Sequence, residues 1–79
     1  MRTFHLIVTT VSGPKFDGEA LSVTVPGSAG EMTVLAGHEP LVTTLKAGLI
    51  TARSEGGNQE FNVQSGVMEC VGNLVTVLL

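Results

Sequence analysis

The sequence contains few charged or aromatic residues and a single cysteine. Only 14% of its 79 residues are charged, tryptophan and tyrosine are absent, and Phe occurs three times. Four Lys and Arg residues against seven Asp and Glu give a net charge of −3, so the basic surface that nucleic-acid binding needs is missing. Cys70 has no second cysteine to pair with, so no internal disulfide forms and the fold does not require an oxidising compartment.

Long apolar runs are also missing. A membrane-spanning helix needs about 20 consecutive apolar residues, and the runs here are only a few residues long. Near the N-terminus, Thr3, His5 and Thr9 interrupt the continuous apolar core that a signal peptide would have. The sequence therefore predicts a cytoplasmic protein with no direct insertion into a membrane.

The length and apolar content indicate one small folded domain. We expect residues 1–79 to form a single unit, because 79 residues leave no room for a second core. Hydrophobic residues make up 43% of the chain, which excludes a disordered composition. So few charges on so small a surface indicate that a partner covers part of it, although a β-protein rich in threonine and glycine would have the same composition.

Period-two alternation predicts β-strands, and no segment predicts a helix. Phe4, Leu6 and Val8 alternate with the residues between them, and Leu21, Val23 and Val25 do the same. The pattern predicts an all-β fold of about eight to ten short strands, a small antiparallel β-sandwich or flattened barrel. Further strands are expected at Met32–Leu35, Leu41–Leu45, Leu49–Ser54, Glu60–Gln64, Val67–Val71 and Leu74–Leu79.

Glycine-containing segments predict the turns between these strands. We expect Gly13-Pro14 to end the first strand and Phe16–Gly18 to form a turn. Glu55–Gln59 is predicted to be a hairpin loop, because it contains the pair Gly56-Gly57. Gly72-Asn73 is predicted to be a tight turn near the end of the chain.

The residues that most often carry out catalysis or bind metals do not form recognisable sites. His5 and His38 are far apart, and the scattered carboxylates have none of the usual metal-ligand spacings, so no metal or other cofactor is expected. Ser65 lacks the strand–turn–helix context of a hydrolase nucleophile. Cys70 lies in the middle of a predicted strand, where a small buried thiol is the ordinary interpretation. We predict no catalytic residue and no enzymatic activity.

A carrier domain with a modified lysine is a further alternative, because lipoyl and biotinyl domains are β-sandwiches of similar length. Such domains present their lysine at a hairpin tip between acidic or methionine neighbours. Lys15 precedes Phe16, and Lys46 lies between Leu45 and Ala47, so neither lysine has that context. The sequence does not favour a carrier.

The segment from Pro26 to Gly48 combines two exposed corners that one short strand separates. Glu31 follows a glycine-bounded turn, and we expect its carboxylate at a loop tip in solvent. His38-Glu39-Pro40 forms the second corner. The two corners are expected at opposite ends of the strand unless Ala36-Gly37 bends the chain back.

Together these segments resemble the N-terminal β-sandwich domain of the epsilon subunit of the F-type ATP synthase, which is called delta in mitochondria. Gly30–Met32 and Gly37–Leu41 carry the most distinctive part of a resemblance that extends over essentially the whole chain. Two residues depart from the resemblance: Thr33 stands where the family commonly has glycine, and Ala36 stands where it commonly has proline. The other similar segments are Phe4–Leu6 with Val8, Phe16–Gly18, Leu45–Gly48, Ser65–Val67 with Glu69, and Gly72-Asn73 with Val75–Leu78.

The resemblance implies a non-catalytic rotor subunit of the central stalk. Such a subunit links the gamma subunit to the polar loops of the membrane c-ring and so couples proton or sodium flow to ATP synthesis. It is peripheral, on the cytoplasmic face of the energy-transducing membrane. The implied c-ring contacts are Gly30, Glu31 and Met32, and the implied gamma contacts are Thr10, His38 and Thr43.

Two further expectations accompany this hypothesis. The chain ends where the family's C-terminal helical hairpin would begin, so neither inhibition by that hairpin nor its ATP site is expected. The alternative function is a free-standing β-sandwich that binds a different protein through its Glu31 and His38 corners.

Overall fold

The computed structural model describes residues 2–79, and within that range it contains nine β-strands and no helix. This confirms the all-β prediction and the expected number of strands. The strands are β1 Phe4–Thr10, β2 Gly13–Ala20, β3 Ser22–Gly27, β4 Gly30–Leu35, β5 Leu41–Leu45, β6 Gly48–Ser54, β7 Gly57–Val63, β8 Gly66–Val71 and β9 Leu74–Leu78.

The strands form two layers. Their order is β2-β1-β9-β8-β5-β3-β6-β7, with β4 paired to β3 outside this path. A single residue pair, Gly27 with Leu45, joins β5 to β3, so the sheet divides there. One layer is β2-β1-β9-β8-β5 and the other is β4-β3-β6-β7. At the opposite side of the sandwich, the rings of Phe16 in β2 and Phe61 in β7 meet edge to face with centroids 6.3 Å apart.

One pairing departs from the predicted antiparallel arrangement. β1 and β9 run parallel, whereas the other strand pairs among residues 2–79 are antiparallel. β9 also pairs with β8, so the last strand of the sheet has a hydrogen-bonded neighbour on each side. The C-terminal strand is therefore held in the sheet from both sides.

The core lies between the two layers. The alternation in β1 is confirmed, because Phe4, Leu6 and Val8 are buried and the residues between them are only half-buried. In β3, Val23 and Val25 are fully buried. The other buried apolar residues are Ala20, Val34, Leu45, Ile50, Ala52, Val63, Met68, Cys70, Val75 and Val77.

The predicted turn at Phe16–Gly18 is wrong, because these residues lie within β2. The chain instead reverses at Val11-Ser12, and Gly13 restarts the strand at a φ of 129°, a conformation that favours glycine. Pro14 is accommodated because β2 is an edge strand, and a register shift lies beside it between Val8 and Thr9 of β1.

The predicted hairpin loop at Glu55–Gln59 is too long. Ser54 pairs with Gly57, so the loop contains only Glu55 and Gly56, and the residues after Gly57 belong to β7. Gly57 has a φ of 125°, which explains why the chain can reverse so tightly there. The first four residues of β7 are exposed and polar or glycine, so this edge strand lacks the apolar alternation that would have identified it.

Candidate protein-binding surfaces

Four two-residue connections lie at one end of the sandwich, which we call the Glu31 end. The strand registers place them there, because the last residues of β1, β3, β5 and β9 pair with the first residues of the strands beside them. The connections are Val11-Ser12, Ser28-Ala29, Lys46-Ala47 and Gln64-Ser65.

Glu31 is exposed at this end, as predicted, but it lies within β4 and not at a loop tip. The tip is Ser28-Ala29, and Glu31 pairs with Pro26 of β3. Gly30 adopts a φ of 138°, so glycine permits the transition from the turn into the strand. Among residues 2–79, no basic nitrogen lies within 4.0 Å of the Glu31 carboxylate. Its charge is therefore available to a partner.

Met32 and Thr43 come together beside Gly27, although the resemblance implies a different partner for each. A Cβ atom at position 27 would lie 3.7 Å from Met32 Sδ, 3.8 Å from Thr43 Oγ1 and 2.7 Å from the Gly30 carbonyl oxygen. The last distance is too short for any side chain, so only glycine lets β4 and β5 approach β3 at this point. The half-buried Met32 and Thr43 therefore lie side by side at the boundary between the two layers.

Thr10 also lies at the Glu31 end, where it stabilises the β1–β2 turn. Its Oγ1 accepts a hydrogen bond from the Ser12 backbone N–H at 3.1 Å and donates one to the Gly13 carbonyl at 3.1 Å. The hydroxyl is thus engaged within the turn, and the half-buried Thr10 presents only part of its surface to a partner.

His38 lies at the other end, in the connection between β4 and β5, which confirms the predicted separation of the two corners. Its backbone N–H donates to the Leu35 carbonyl at 3.2 Å, and its Nδ1 donates to the Glu39 carbonyl at 2.9 Å. Between the corners, β4 spans about 20 Å at about 3.3 Å per residue. The structure therefore does not bring His38 together with Thr10 and Thr43.

A largely apolar surface, with Glu69 and Thr76 between its two apolar cross-strand pairs, covers the outside of β5, β8 and β9, and we call it the apolar face. Its five large side chains are 37% to 65% exposed, and the three strands carry only one outward charged residue, Glu69. Val67 pairs with Leu78, and Val71 with Leu74, so these four side chains form cross-strand contacts on the solvent side. The apolar face comprises Val42, Val67, Val71, Leu74 and Leu78.

The sequence of β9 already indicated this face, because the strand is apolar on both of its sides and therefore shows no alternation of apolar and polar residues. In β9, Leu74 and Leu78 are apolar and exposed, while Val75 and Val77 are apolar and buried. A strand that is apolar on both sides is typical of one that is covered on both sides. The low overall charge of the sequence predicted that a partner covers part of the surface. The position of that surface could be identified only from the register of β8 and β9 in the structure.

A cluster of polar residues lies beside the apolar face on β1 and β2. His5 Nε2 contacts Asp17 Oδ1 at 2.6 Å, and its Nδ1 lies 3.4 Å from Glu19 Oε2. Thr3 Oγ1 donates to the other Glu19 oxygen at 2.7 Å. His5 is thus directed outward from its strand, and both ring nitrogens face carboxylates.

The described residues offer no catalytic or metal-binding arrangement. No group of three or more His, Cys, Asp or Glu side chains among residues 2–79 is placed to hold a metal ion. Cys70 is buried as predicted, and burial raises the pKa of its thiol, which disfavours the reactive thiolate. No helix in this part of the chain is long and apolar enough to cross a membrane.

Comparison with known proteins identifies one family. Residues 3–79 match the family described as ATP synthase, Delta/Epsilon chain, beta-sandwich domain. The chain is 38% identical over 79 residues to an ATP synthase epsilon chain of Bordetella petrii, covering 99% of this chain and 56% of that protein.

Two solved structures have the same fold. One chain of the mitochondrial ATP synthase of Euglena gracilis, from a structure containing OSCP, F1 and the c-ring, matches with a TM-score of 0.89 and 25% identity. The match covers 96% of this chain and 49% of that one. A chain from the central stalk and c-ring of Tetrahymena thermophila mitochondrial ATP synthase matches with a TM-score of 0.81 at 10% identity, covering 98% and 63%. The chain thus spans about half the length of the first relatives that it matches.

Proposed function

The chain belongs to the ATP synthase delta/epsilon family, whose β-sandwich domain it forms, and from this premise we propose that it joins the gamma subunit to the c-ring. It is a structural subunit of the central stalk and not a catalytic one. Residues 1–79 act as one domain of the rotor. By holding gamma to the ring, the chain couples ion flow through the ring to ATP synthesis at the cytoplasmic face of the membrane.

The apolar face is the observation that carries this proposal, and gamma is its partner. Five exposed, large apolar side chains on three adjacent strands favour burial against another protein. One of the three implied gamma contacts, His38, lies beside the face, in the connection that leads into β5. Thr43 follows Val42 in β5, so its side chain points to the other side of that strand, beside Gly27. Thr10 contributes at the far corner, where β1 ends.

The Glu31 end contacts the ring loops in this proposal. Glu31 has an exposed carboxylate without a basic partner among residues 2–79, and Gly30 and Met32 flank it in β4. An ion pair with a basic residue of a ring loop would contribute about 0–1 kcal/mol if it remains exposed. Such a pair fixes the orientation of the joint more than its affinity. The apolar face supplies most of the binding energy, on the gamma side.

Binding of purified gamma subunit by two matched variants tests the proposal. Val42→Asp introduces a charge into the apolar face, whereas Leu35→Asp introduces one at an equally exposed strand position outside it. We expect Val42→Asp to weaken gamma binding at least about tenfold, because the interface would bury an unpaired charge, and Leu35→Asp to leave it nearly unchanged. Melting curves of both variants verify that they fold.

Equal affinities of the two variants for gamma would show that the apolar face is not part of the gamma interface. Absence of binding by the folded parent chain would instead favour the alternative function, a β-sandwich with a different protein partner.

A further inference from the structure

A polar cleft opens at the end of the sandwich opposite Glu31. It lies between the residues before β1, the β4–β5 connection and the β8–β9 turn, and its volume of about 530 Å³ leaves room for a side chain of another molecule. No carboxylate lines it. The lining residues are Arg2, Thr3, Gly37, His38, Gly72 and Asn73.

The guanidinium group of the exposed Arg2 lies in this cleft beside Gly37. Its Nη2 and Nη1 lie 3.1 and 3.3 Å from the position that a Cβ atom of residue 37 would occupy, so a side chain there would displace it. Gly37 also has a φ of 83°, which favours glycine. Within residues 2–79, the guanidinium makes no hydrogen bond and has no carboxylate within 4.0 Å. Its planar set of N–H donors, which matches a carboxylate, is therefore unused.

Two other side chains complete the polar lining. His38 Nδ1–H donates to the Glu39 carbonyl, which fixes the ring and makes the Nε2 of the neutral ring an acceptor, so the hydrogen-bond donors offered to an anion come from the other lining residues. Asn73 adds a side-chain amide, and its turn is attached to β1 because the His5 N–H donates to the Asn73 carbonyl at 2.9 Å. Glu19 accepts a hydrogen bond from Thr3 and lies 3.4 Å from His5, and within residues 2–79 it forms no ion pair with Arg2.

We infer that this cleft is an oxoanion site that receives a carboxylate side chain of the subunit covering the apolar face. The identity of that subunit rests on the proposed function. The Gly72-Asn73 turn of the cleft directly joins Val71 to Leu74, which both belong to the apolar face. A partner that covers the face therefore reaches the cleft. A guanidinium binds a carboxylate through two parallel, charge-assisted hydrogen bonds, which makes an acidic side chain the matching ligand.

Two measurements on the same variants test this inference. In the first, inorganic phosphate and acetate are titrated into the ¹⁵N-labelled chain as probes. We expect amide shifts at Gly37, His38, Gly72 and Asn73 that disappear in Arg2→Gln and persist in Arg53→Gln, an exposed arginine on β6 that serves as the matched control. In the second, Arg2→Gln weakens gamma binding by about threefold to tenfold, whereas Arg53→Gln leaves it unchanged.

Each outcome has a distinct consequence. If both measurements respond to Arg2→Gln alone, the inference is supported. If the amides do not shift, or shift equally in both variants, there is no oxoanion site in the cleft. If they shift but gamma affinity is unaffected, the site serves a free anion and a partner carboxylate is excluded. If the parent chain does not bind gamma, the proposed function fails, and the assignment of a gamma carboxylate to the cleft fails with it.

Discussion

Replacing Val23 by Asp tests the assignment of the core. Val23 is fully buried in β3, where it pairs with Val34 of β4 and Ala52 of β6, both also buried. The substitution loses about 1.5–3 kcal/mol of apolar burial. Burial also raises the pKa of the introduced carboxyl by about 3–5 units, which costs a further ~4 kcal/mol at pH 7, because once the folded-state pKa exceeds the pH the folded protein keeps the carboxyl protonated.

The sum of these two costs approaches the whole stability of the domain, which is about 4–12 kcal/mol for 79 residues. We therefore expect the variant to be largely unfolded at pH 7 by circular dichroism. Val23→Ala removes the two methyl groups without adding a charge, and should cost about 2–3 kcal/mol and lower Tm by about 10–20 °C.

The dependence on pH separates the charge from the lost packing. The introduced carboxyl has a folded-state pKa above its unfolded value of about 4, so its ionisation penalty is absent below pH 4 and grows as the pH rises. The difference in unfolding free energy from the parent should therefore be smaller at pH 3.5 than at pH 7. Thr33→Asp, at an exposed position of β4, is the control; it loses the hydroxyl hydrogen bond to Thr24 but buries no charge, so it should lower Tm far less than Val23→Asp. A normal melting curve for Val23→Asp, with a destabilised Thr33→Asp, would refute the assignment of the two faces.

Two further predictions concern a buried thiol and an exposed carboxylate. Burial raises the pKa of the Cys70 thiol above its ordinary value of about 8.5. The buried neutral thiol therefore contributes fully to the free energy of unfolding below pH 8.5, and this contribution is lost as the pH rises through the folded-state pKa. Urea unfolding should therefore show a steeper alkaline loss of stability for the parent than for Cys70→Ala, and parallel curves would contradict this. Glu31→Lys should reduce co-purification of the chain with c-ring subunits while leaving Tm unchanged. Glu60→Lys, another exposed strand position, is its control, and equal recovery of the two variants would exclude Glu31 from the ring contact.

The parts of the fold that follow from local alternation could be predicted from the sequence. β1 buries one set of alternating apolar residues, so its period of two gave both its position and its inward face. In β3 the alternation correctly gave Val23 and Val25 as buried, but Leu21 lies before the strand and is half-buried, and Ser22 is buried with the valines. The turn at Gly72-Asn73 is also where it was predicted, with Gly72 at a φ of 60°. In these segments local preference and tertiary environment agree.

Edge strands and long-range pairing could not be predicted in the same way. β2 and β7 each have a free edge and many exposed positions, so polar residues and glycines suit them and their composition resembles that of loops. The parallel pairing of β1 with β9 joins the two ends of the sequence, and no local pattern specifies it. The apolar face depends on that pairing order, which is why its position became visible only in the structure.

The candidate contact residues show the same limit. The sequence placed Glu31 and His38 at the two ends of one strand, and the structure confirms that separation, with Glu31 exposed but inside β4 and His38 half-buried in the β4–β5 connection. It could not indicate that Thr10 uses its hydroxyl within a turn, or that Met32 and Thr43 meet beside Gly27. Both features arise from contacts between strands that are distant in sequence.

The central claim is that this chain holds gamma and the c-ring together, and retention of gamma on an immobilised c-ring measures this directly. Detergent-solubilised c-ring is fixed to a surface, gamma is added with or without the 79-residue chain, and the amount of gamma that remains after washing is recorded. We expect the chain to increase the retained gamma, Val42→Asp to reduce that increase strongly by weakening the gamma contact, and Glu31→Lys to reduce it by up to about fivefold by weakening the ring contact. The same retention with and without a folded chain would contradict the claim.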